Sequence, residues 1–337
     1  MSFLLQFHAF STSFPQGTTI SATISTANLS YSSTLCCITA ILLLSLISVA
    51  FVFHLRLKSR SVQHLQRFNS LWMVRLLLVL LIAIWASNEL FRLSFFRRNY
   101  LFPFFPSLTL TQQASFCKIH IVFSLGFFEP GFLVTLLFLI NVSTEKKTPH
   151  TTWAIAFVLA NCFPVLALQV LLVFFSGLHL PWPEIFLRSS VVSKSEEVIL
   201  CQYPLMSSIV FGAFGIWYLM GFSLACFKAV NLVINKGLRR RICALSFTVM
   251  IMLPLQILFL VSSVLWGPEE NIYATFAFFV FGTTLVIAAV GEGILVIKPT
   301  VDSLVAGEDA LPAFLPREQT ASEEQQLPKL EDARVQV

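Results

Sequence analysis

A glutamate and a proline lie side by side in a long apolar run, where both residue types are costly. The run reads FCKIHIVFSLGFFEPGFLVTLLFLI, with Glu129 and Pro130 near its middle. An ionisable side chain in such a segment usually faces a protein interior or a water-filled cavity. A proline there removes a backbone hydrogen bond and kinks the helix. A carboxylate at this depth can exchange a proton, bind a cation or bias a conformational equilibrium; a purely structural, hydrogen-bonded glutamate is the alternative.

Other polar and kinking residues are expected at the same height as this pair. Asn161 lies in one apolar run, and Pro254 and Gln256 lie in another, within MLPLQ. If these runs cross a membrane together, Glu129, Pro130 and these three residues share one layer. The sequence therefore predicts an intramembrane polar core that forms a hydrated pocket or a two-state switch.

The elements that must position these residues are membrane-spanning helices. The chain is 56% hydrophobic and 12% charged, whereas soluble domains carry about 25% charged residues. Apolar stretches of roughly 20 residues are typical of spanning helices. The sequence predicts an all-α, polytopic bundle of seven transmembrane helices, at about 34–55, 71–92, 115–141, 153–176, 206–233, 242–266 and 273–297.

The distribution of Lys and Arg predicts the orientation of this bundle. Basic residues are concentrated in the first, third and fifth loops, are fewer in the second and fourth, and are absent from residues 1–33. Since basic loops stay in the cytosol, we expect an outer Ser/Thr-rich segment at 1–33 and a transmembrane domain at 34–298. The acidic segment 299–337 is expected to be a disordered cytosolic tail. Asn28 lies in an N-glycosylation sequon on the outer side.

Charged residues near the helix ends predict two ion pairs. At the outer end, Glu89 can pair with Arg92 or Lys118. At the cytosolic end, Arg75 and Glu292 lie at comparable heights and can pair across the second and seventh helices. Separate snorkelling of the two side chains to the interface is the alternative.

The fifth loop, NKGLRRR, contains a cluster of basic residues on the cytosolic side: Lys236, Arg239, Arg240 and Arg241. Such a cluster can couple to a cytosolic partner, and attraction to anionic lipid explains the same charges without one.

Two of the seven cysteines are expected outside, where disulfides persist. Cys117 begins the third span and Cys201 ends the fourth loop, so a bridge would close that loop over an outer cavity; two free thiols are the alternative. The cysteines show no metal-binding spacing, and soluble-type catalytic and nucleotide motifs are missing. We therefore expect no metal, no cofactor and no enzymatic activity.

The run containing Glu129 and the overall layout resemble the plant seven-transmembrane proteins proposed as candidate G-protein-coupled receptors. The resemblance implies a receptor architecture and carries Cys117 and Cys201 over as the disulfide. The chain departs from typical receptors in three places: the third span lacks Asp-Arg-Tyr, the sixth lacks a tryptophan before its proline, and the seventh reads GEGILVIKP instead of Asn-Pro-x-x-Tyr.

We therefore expect a receptor that binds a small-molecule ligand and couples to a heterotrimeric G protein or another cytosolic effector. The plasma membrane is the expected location, with an endomembrane as the alternative. A small-residue face on the fifth span (Ser208, Gly212, Gly215, Gly221) can dock another helix, in this chain or in a homo-oligomer. No basic domain suited to nucleic acid is present. The alternative functions are a proton- or cation-coupled transporter, channel or lipid-handling protein that uses Glu129, and a non-signalling scaffold.

Overall fold

The computed structural model describes residues 19–58, 71–93, 109–144, 151–175, 183–192 and 199–309. Seven long helices occupy most of these residues, and we number them α1 to α7. Five are single α-helices: α1 (Thr19–Lys58), α2 (Trp72–Glu89), α4 (Thr151–Phe174), α5 (Leu205–Leu232) and α6 (Lys236–Val264). The other two, α3 (110–144) and α7 (271–309), are each interrupted by one π-helical turn, at Ser124–Phe128 and Gly293–Ile297 respectively.

All seven helices are long and apolar enough to cross a membrane. The prediction of seven spanning helices is confirmed in this respect, and their composition indicates a membrane protein. Large apolar side chains cover the outer surface, as lipid contact requires: Phe163, Trp217, Leu224, Phe227 and Phe247 are each about 70% exposed.

The connection between α4 and α5 contains the one departure from an all-α fold in the part of the chain described. Strands β1 (Ser190–Val192) and β2 (Ile199–Cys201) pair antiparallel, with Val191 opposite Leu200. Their short runs of β-branched and apolar residues suit a pleated, half-buried ribbon. A single helical turn, Glu184–Leu187, precedes β1.

Three helix ends differ from the predicted boundaries because apolarity marks the membrane-embedded part of a helix and not its whole length. Helix α1 begins at Thr19, so Asn28 lies within a helix and its glycosylation remains a prediction. Helix α3 begins at Leu110, where Thr109 and Gln112 form a capping box. Helix α7 continues to Asp309, so a disordered tail from residue 299 was wrong for 299–309; residues 310–337 lie outside the described ranges.

The predicted fifth loop is also shorter than expected. Only residues 233–235 separate α5 from α6, and the Asn235 side chain caps α6 by accepting a hydrogen bond from the Gly237 amide at 2.9 Å. Lys236 and the three following arginines therefore belong to the first turns of α6.

Helix α3 is the most buried of the seven, with 83% of its most apolar stretch inside the protein. It packs against α2, α4 and α5, while α6 packs along α5 and α7, and α1 lies against α2 and α7. Gly212 and Gly215 of α5 lie against Ile257 of α6, so these two members of the small-residue face are used within the chain. The Trp85 ring stacks on Phe281 at the centre of the bundle, with centroids 5.5 Å apart.

Candidate functional site

The local geometry of the site begins with Pro130. Proline has no backbone N–H, and its ring collides with the carbonyl of the preceding turn in a regular α-helix. Here α3 widens into the π-helical turn Ser124–Phe128, and the Glu129 amide donates to the Ser124 carbonyl five residues earlier. Single π-turns inside α-helices are frequently found at functional sites.

Glu129 lies directly after this turn and is 3% exposed. Its Oε1 accepts hydrogen bonds from the Trp85 indole N–H at 3.3 Å and the Ser124 hydroxyl at 3.0 Å. Its Oε2 accepts a hydrogen bond from the Gln256 side-chain amide. One carboxylate thus connects α2, α3 and α6, and the predicted proximity of Glu129 and Gln256 is confirmed.

A second buried carboxylate, Glu89, lies close to the first. Its Oε2 accepts from Arg92 Nε at 3.1 Å, and its Oε1 lies 3.2 Å from the Ser124 hydroxyl. The His120 ring nitrogen Nε2 is 3.8 Å from the same Oε1. Ser124 therefore lies between Glu89 and Glu129, and because a hydroxyl carries one hydrogen, it can donate to only one of them at a time.

Reciprocal hydrogen bonds join α2 and α3 beside Glu89. The Asn88 side chain donates to the His120 carbonyl at 3.2 Å, and His120 Nδ1 lies 3.0 Å from the Asn88 carbonyl oxygen. The sequence reasoning missed Trp85, Ser124 and His120 as members of the network. The available signal was the spacing of His120 and Ser124, since residues four apart on a helix share a face.

Two predicted members of the polar core lie elsewhere. Asn161 is exposed and donates to the Phe157 carbonyl of its own helix at 2.7 Å, so it does not approach Glu129. Pro254 is also exposed, within an uninterrupted α6. Both predictions were wrong because they rested on height along the helix, and the rotation of the helix turns these residues outward.

The predicted ion pairs are formed in part. Glu89 pairs with Arg92 and not with Lys118, which is half-buried and has no ion pair among the described residues. The prediction that Arg75 pairs with Glu292 was wrong, since the two form no ion pair among the described residues. Instead, Glu292 Oε2 accepts a hydrogen bond from Ser45 of α1 at 3.2 Å.

The β1–β2 hairpin covers the end of the bundle at which α3 begins. The disulfide Cys117–Cys201 joins β2 to α3, which confirms the predicted bridge. The Tyr273 hydroxyl of α7 donates to the Cys201 carbonyl at 2.8 Å, so the hairpin is tied to two helices. Beside it lies a cleft of about 50 Å³, whose lining includes Thr34, Arg92, Leu200, Tyr273 and Phe278.

At the opposite end, the basic residues of α6 fall into two groups. Lys236, Arg239 and Arg240 are exposed. Arg241 forms an ion pair with Asp302 of α7 at 2.6 Å. The pair therefore connects the start of α6 to the extension of α7.

Seven helices that are long and apolar enough to cross a membrane, around a buried carboxylate network and a disulfide-linked hairpin, indicate a membrane protein. Residues 22–311 match the family described as "Uncharacterised conserved protein UCP031277", and the chain belongs to that family. No curated protein matches the chain. The family description assigns no activity.

Proposed function

We propose that the protein is a seven-helix receptor in which Glu129 holds α3 and α6 in one of two packings. The observation that carries this proposal is that one buried carboxylate accepts hydrogen bonds from α2 and α6 at once. Leaving a buried hydrogen-bonding group without its partner costs about 1–3 kcal/mol. Coupling between a ligand site and an effector site is typically about 1–3 kcal/mol. Breaking the Glu129–Gln256 contact is thus an event of the right size for ligand-driven switching.

The outer cleft is the proposed ligand site. Its Arg92 wall is linked to Glu89, Glu89 to Ser124, and Ser124 to Glu129. A ligand that displaces Arg92 therefore acts on the α3–α6 contact through a continuous chain of polar groups. Drug-sized ligands occupy roughly 300–1,000 Å³, so binding in a cleft of about 50 Å³ requires the hairpin and α7 to separate. A ligand that prefers the separated state shifts the equilibrium toward it.

The start of α6 is the proposed effector site, with the N-terminus outside and this end in the cytosol, as the basic loops predict. Movement of α6 has to break the Arg241–Asp302 pair at the same end. The exposed Lys236, Arg239 and Arg240 move with this end of α6, and they form the proposed contact with a heterotrimeric G protein or another cytosolic effector. The plasma membrane is the proposed location, because a ligand from outside the cell reaches the cleft there.

The first test measures whether the polar core restrains α6. Glu129→Ala and Gln256→Ala, each in lipid nanodiscs, should increase amide hydrogen exchange in residues 239–250 relative to the unaltered chain. Asn161→Ala is the matched control, because Asn161 is a polar residue of a spanning helix whose hydrogen bond stays within its own helix. Unchanged exchange in the first two variants would contradict a lock between α3 and α6.

The second test asks whether the released state recruits a G protein. Nanodiscs with Glu129→Ala should accelerate nucleotide exchange on added heterotrimeric G protein more than nanodiscs with Asn161→Ala. Loss of the acceleration on replacing Arg239 and Arg240 with glutamine would assign it to the start of α6. Increased hydrogen exchange without any acceleration would keep the lock and reject the G protein as the effector.

A second candidate function is proton-coupled transport, and the placement of Ser124 favours it. One hydroxyl within hydrogen-bond distance of both Glu89 and Glu129 forms a short proton path from the outer end toward the middle of the bundle. Proteoliposomes under a pH gradient separate the two functions. A transporter should show proton or solute flux that Glu129→Gln abolishes, whereas a receptor should show no flux in either form.

A further inference from the structure

A third buried carboxylate lies outside the network described above, at the interface of α1 and α7. Glu292 is the last residue of the first α-helical part of α7, directly before the π-turn Gly293–Ile297. It is fully buried, with 0% of its surface exposed. Ser45 and Ser48 approach it from α1. They are three residues apart, so they share one face of that helix, and both are buried.

These three side chains do not satisfy one another. Ser45 donates to Glu292 Oε2 at 3.2 Å. Glu292 Oε1 and the Ser48 hydroxyl oxygen are buried and have no hydrogen-bond partner. Ser48 nevertheless faces the same carboxylate, without a hydrogen bond of good geometry. An unsatisfied buried polar group costs about 1–3 kcal/mol, and a charged one more.

The arrangement suits a cation better than it suits a hydrogen-bond network. Both carboxylate oxygens and two hydroxyl oxygens converge on one region between two helices, and oxygen donors of this kind suit hard cations. Arg75 does not neutralise the carboxylate, since the two form no pair within the described ranges. A buried charge without a partner is strongly disfavoured, and a bound cation would provide that partner.

We propose that Glu292, Ser45 and Ser48 bind a monovalent cation of the size of Na⁺ between α1 and α7. One carboxylate balances one positive charge. A divalent ion would leave net charge in an apolar interior, and Ca²⁺ sites normally supply six to eight oxygens with several carboxylates. The bound ion joins α1 to α7, so it stabilises the folded bundle. The site is separate from the Glu129 network and independent of whether the protein is a receptor.

The test is a salt titration of the purified protein in nanodiscs, followed by thermal unfolding with tryptophan fluorescence. NaCl is exchanged for N-methyl-D-glucamine chloride at constant ionic strength, so only the small cation changes. The unaltered chain should show a saturable rise in Tm with Na⁺, since a ligand that binds only the folded state stabilises it. Glu292→Gln keeps an acceptor for Ser45 and should lose the rise.

Two further variants make the result decisive. Ser48→Ala should shift the Na⁺ midpoint upward by about tenfold or more, the loss typical of removing one group that supports a bound metal. Glu129→Gln is the matched control and should keep the full Na⁺ response, because it alters a buried carboxylate outside the site. An equal response to both salts, or a Na⁺ response retained in Glu292→Gln, would overturn the proposal. So would a Tm that depends on pH through Glu292 but not on Na⁺, which would make this a proton site.

Discussion

The π-turns of α3 and α7 have the same local design and different surroundings. Each is five residues long, and each is followed by one residue and then a proline, in SLGFFEP and GILVIKP. In both, the widened turn relieves the clash that a proline ring makes with the preceding turn of a regular helix. Pro254, by contrast, lies in an uninterrupted α6 and is exposed, so its helix can bend toward lipid without widening.

The difference between the two turns lies in the side chains that neighbouring helices supply. Glu129 follows its turn and receives hydrogen bonds from three side chains. Glu292 precedes its turn and receives a hydrogen bond from Ser45, with its second oxygen unsatisfied. Both helices therefore contain the same π-turn. The side chains of the surrounding helices decide whether the neighbouring carboxylate holds the bundle together or stays available to a ligand.

Alanine at each carboxylate should give the largest contrast between the two turns. Glu129→Ala leaves the Trp85 and Gln256 donors without an acceptor, at a cost of about 1–3 kcal/mol each, whereas Ser124 can still donate to Glu89. We expect a loss of about 3 kcal/mol or more in the free energy of unfolding. Glu292→Ala in the absence of Na⁺ removes one hydrogen bond and should lose about 1 kcal/mol or less. Reversible denaturation in micelles measures both, and equal losses would mean that the two carboxylates are held alike.

A glycine in each turn allows a matched test of packing, with a smaller effect. A Cβ at Gly126 would lie 3.2 Å from Gln169 side-chain carbons and 3.3 Å from the Leu166 Cα. Gly126→Ala should therefore lose about 1–3 kcal/mol through overpacking. At Gly293 a Cβ meets nothing within 4 Å, so Gly293→Ala should gain about 0.5–1 kcal/mol from helix propensity. A destabilising alanine at Gly293 would show that its turn is as closely packed as that of α3.

Replacing the prolines should have the smallest effect. A π-turn contains one residue more than the α-helix it interrupts, so restoring an N–H does not remove it while both flanking segments stay packed. Pro130→Ala and Pro299→Ala should each change the free energy of unfolding by less than about 1 kcal/mol. Tryptophan fluorescence is a second readout, because Trp85 contacts Glu129. A shifted emission spectrum in Pro130→Ala alone would indicate that the α3 turn depends on its proline.

The sequence predicted what depends on composition and on strong local chemistry. Runs of apolar residues located seven helices, and the isolation of Glu129 in such a run identified the centre of the network. The Cys117–Cys201 bridge followed from placing both residues at the outer end. These inferences need only the position of a residue along its helix.

What could not be predicted depends on helix rotation and on contacts between helices. Asn161 and Gln256 were indistinguishable by height, yet one faces outward and the other contacts Glu129. Ser45 was missed as the partner of Glu292 because hydroxyl residues are common in apolar helices and give no signal alone. The π-turns were missed too, although Pro130 and Pro299 each mark a point where a regular helix is interrupted.

Helix α7 is longer than the hydrocarbon layer that it would cross. At 1.5 Å per residue, α7 is about 58 Å long, whereas the hydrocarbon layer is about 30 Å thick. If the helix enters the layer near Tyr273, its last turns stand roughly 20 Å clear of the hydrocarbon edge. The Arg241–Asp302 ion pair joins this last part of α7 to the start of α6. A protein that binds the last turns of α7 would therefore lie clear of the lipid headgroups.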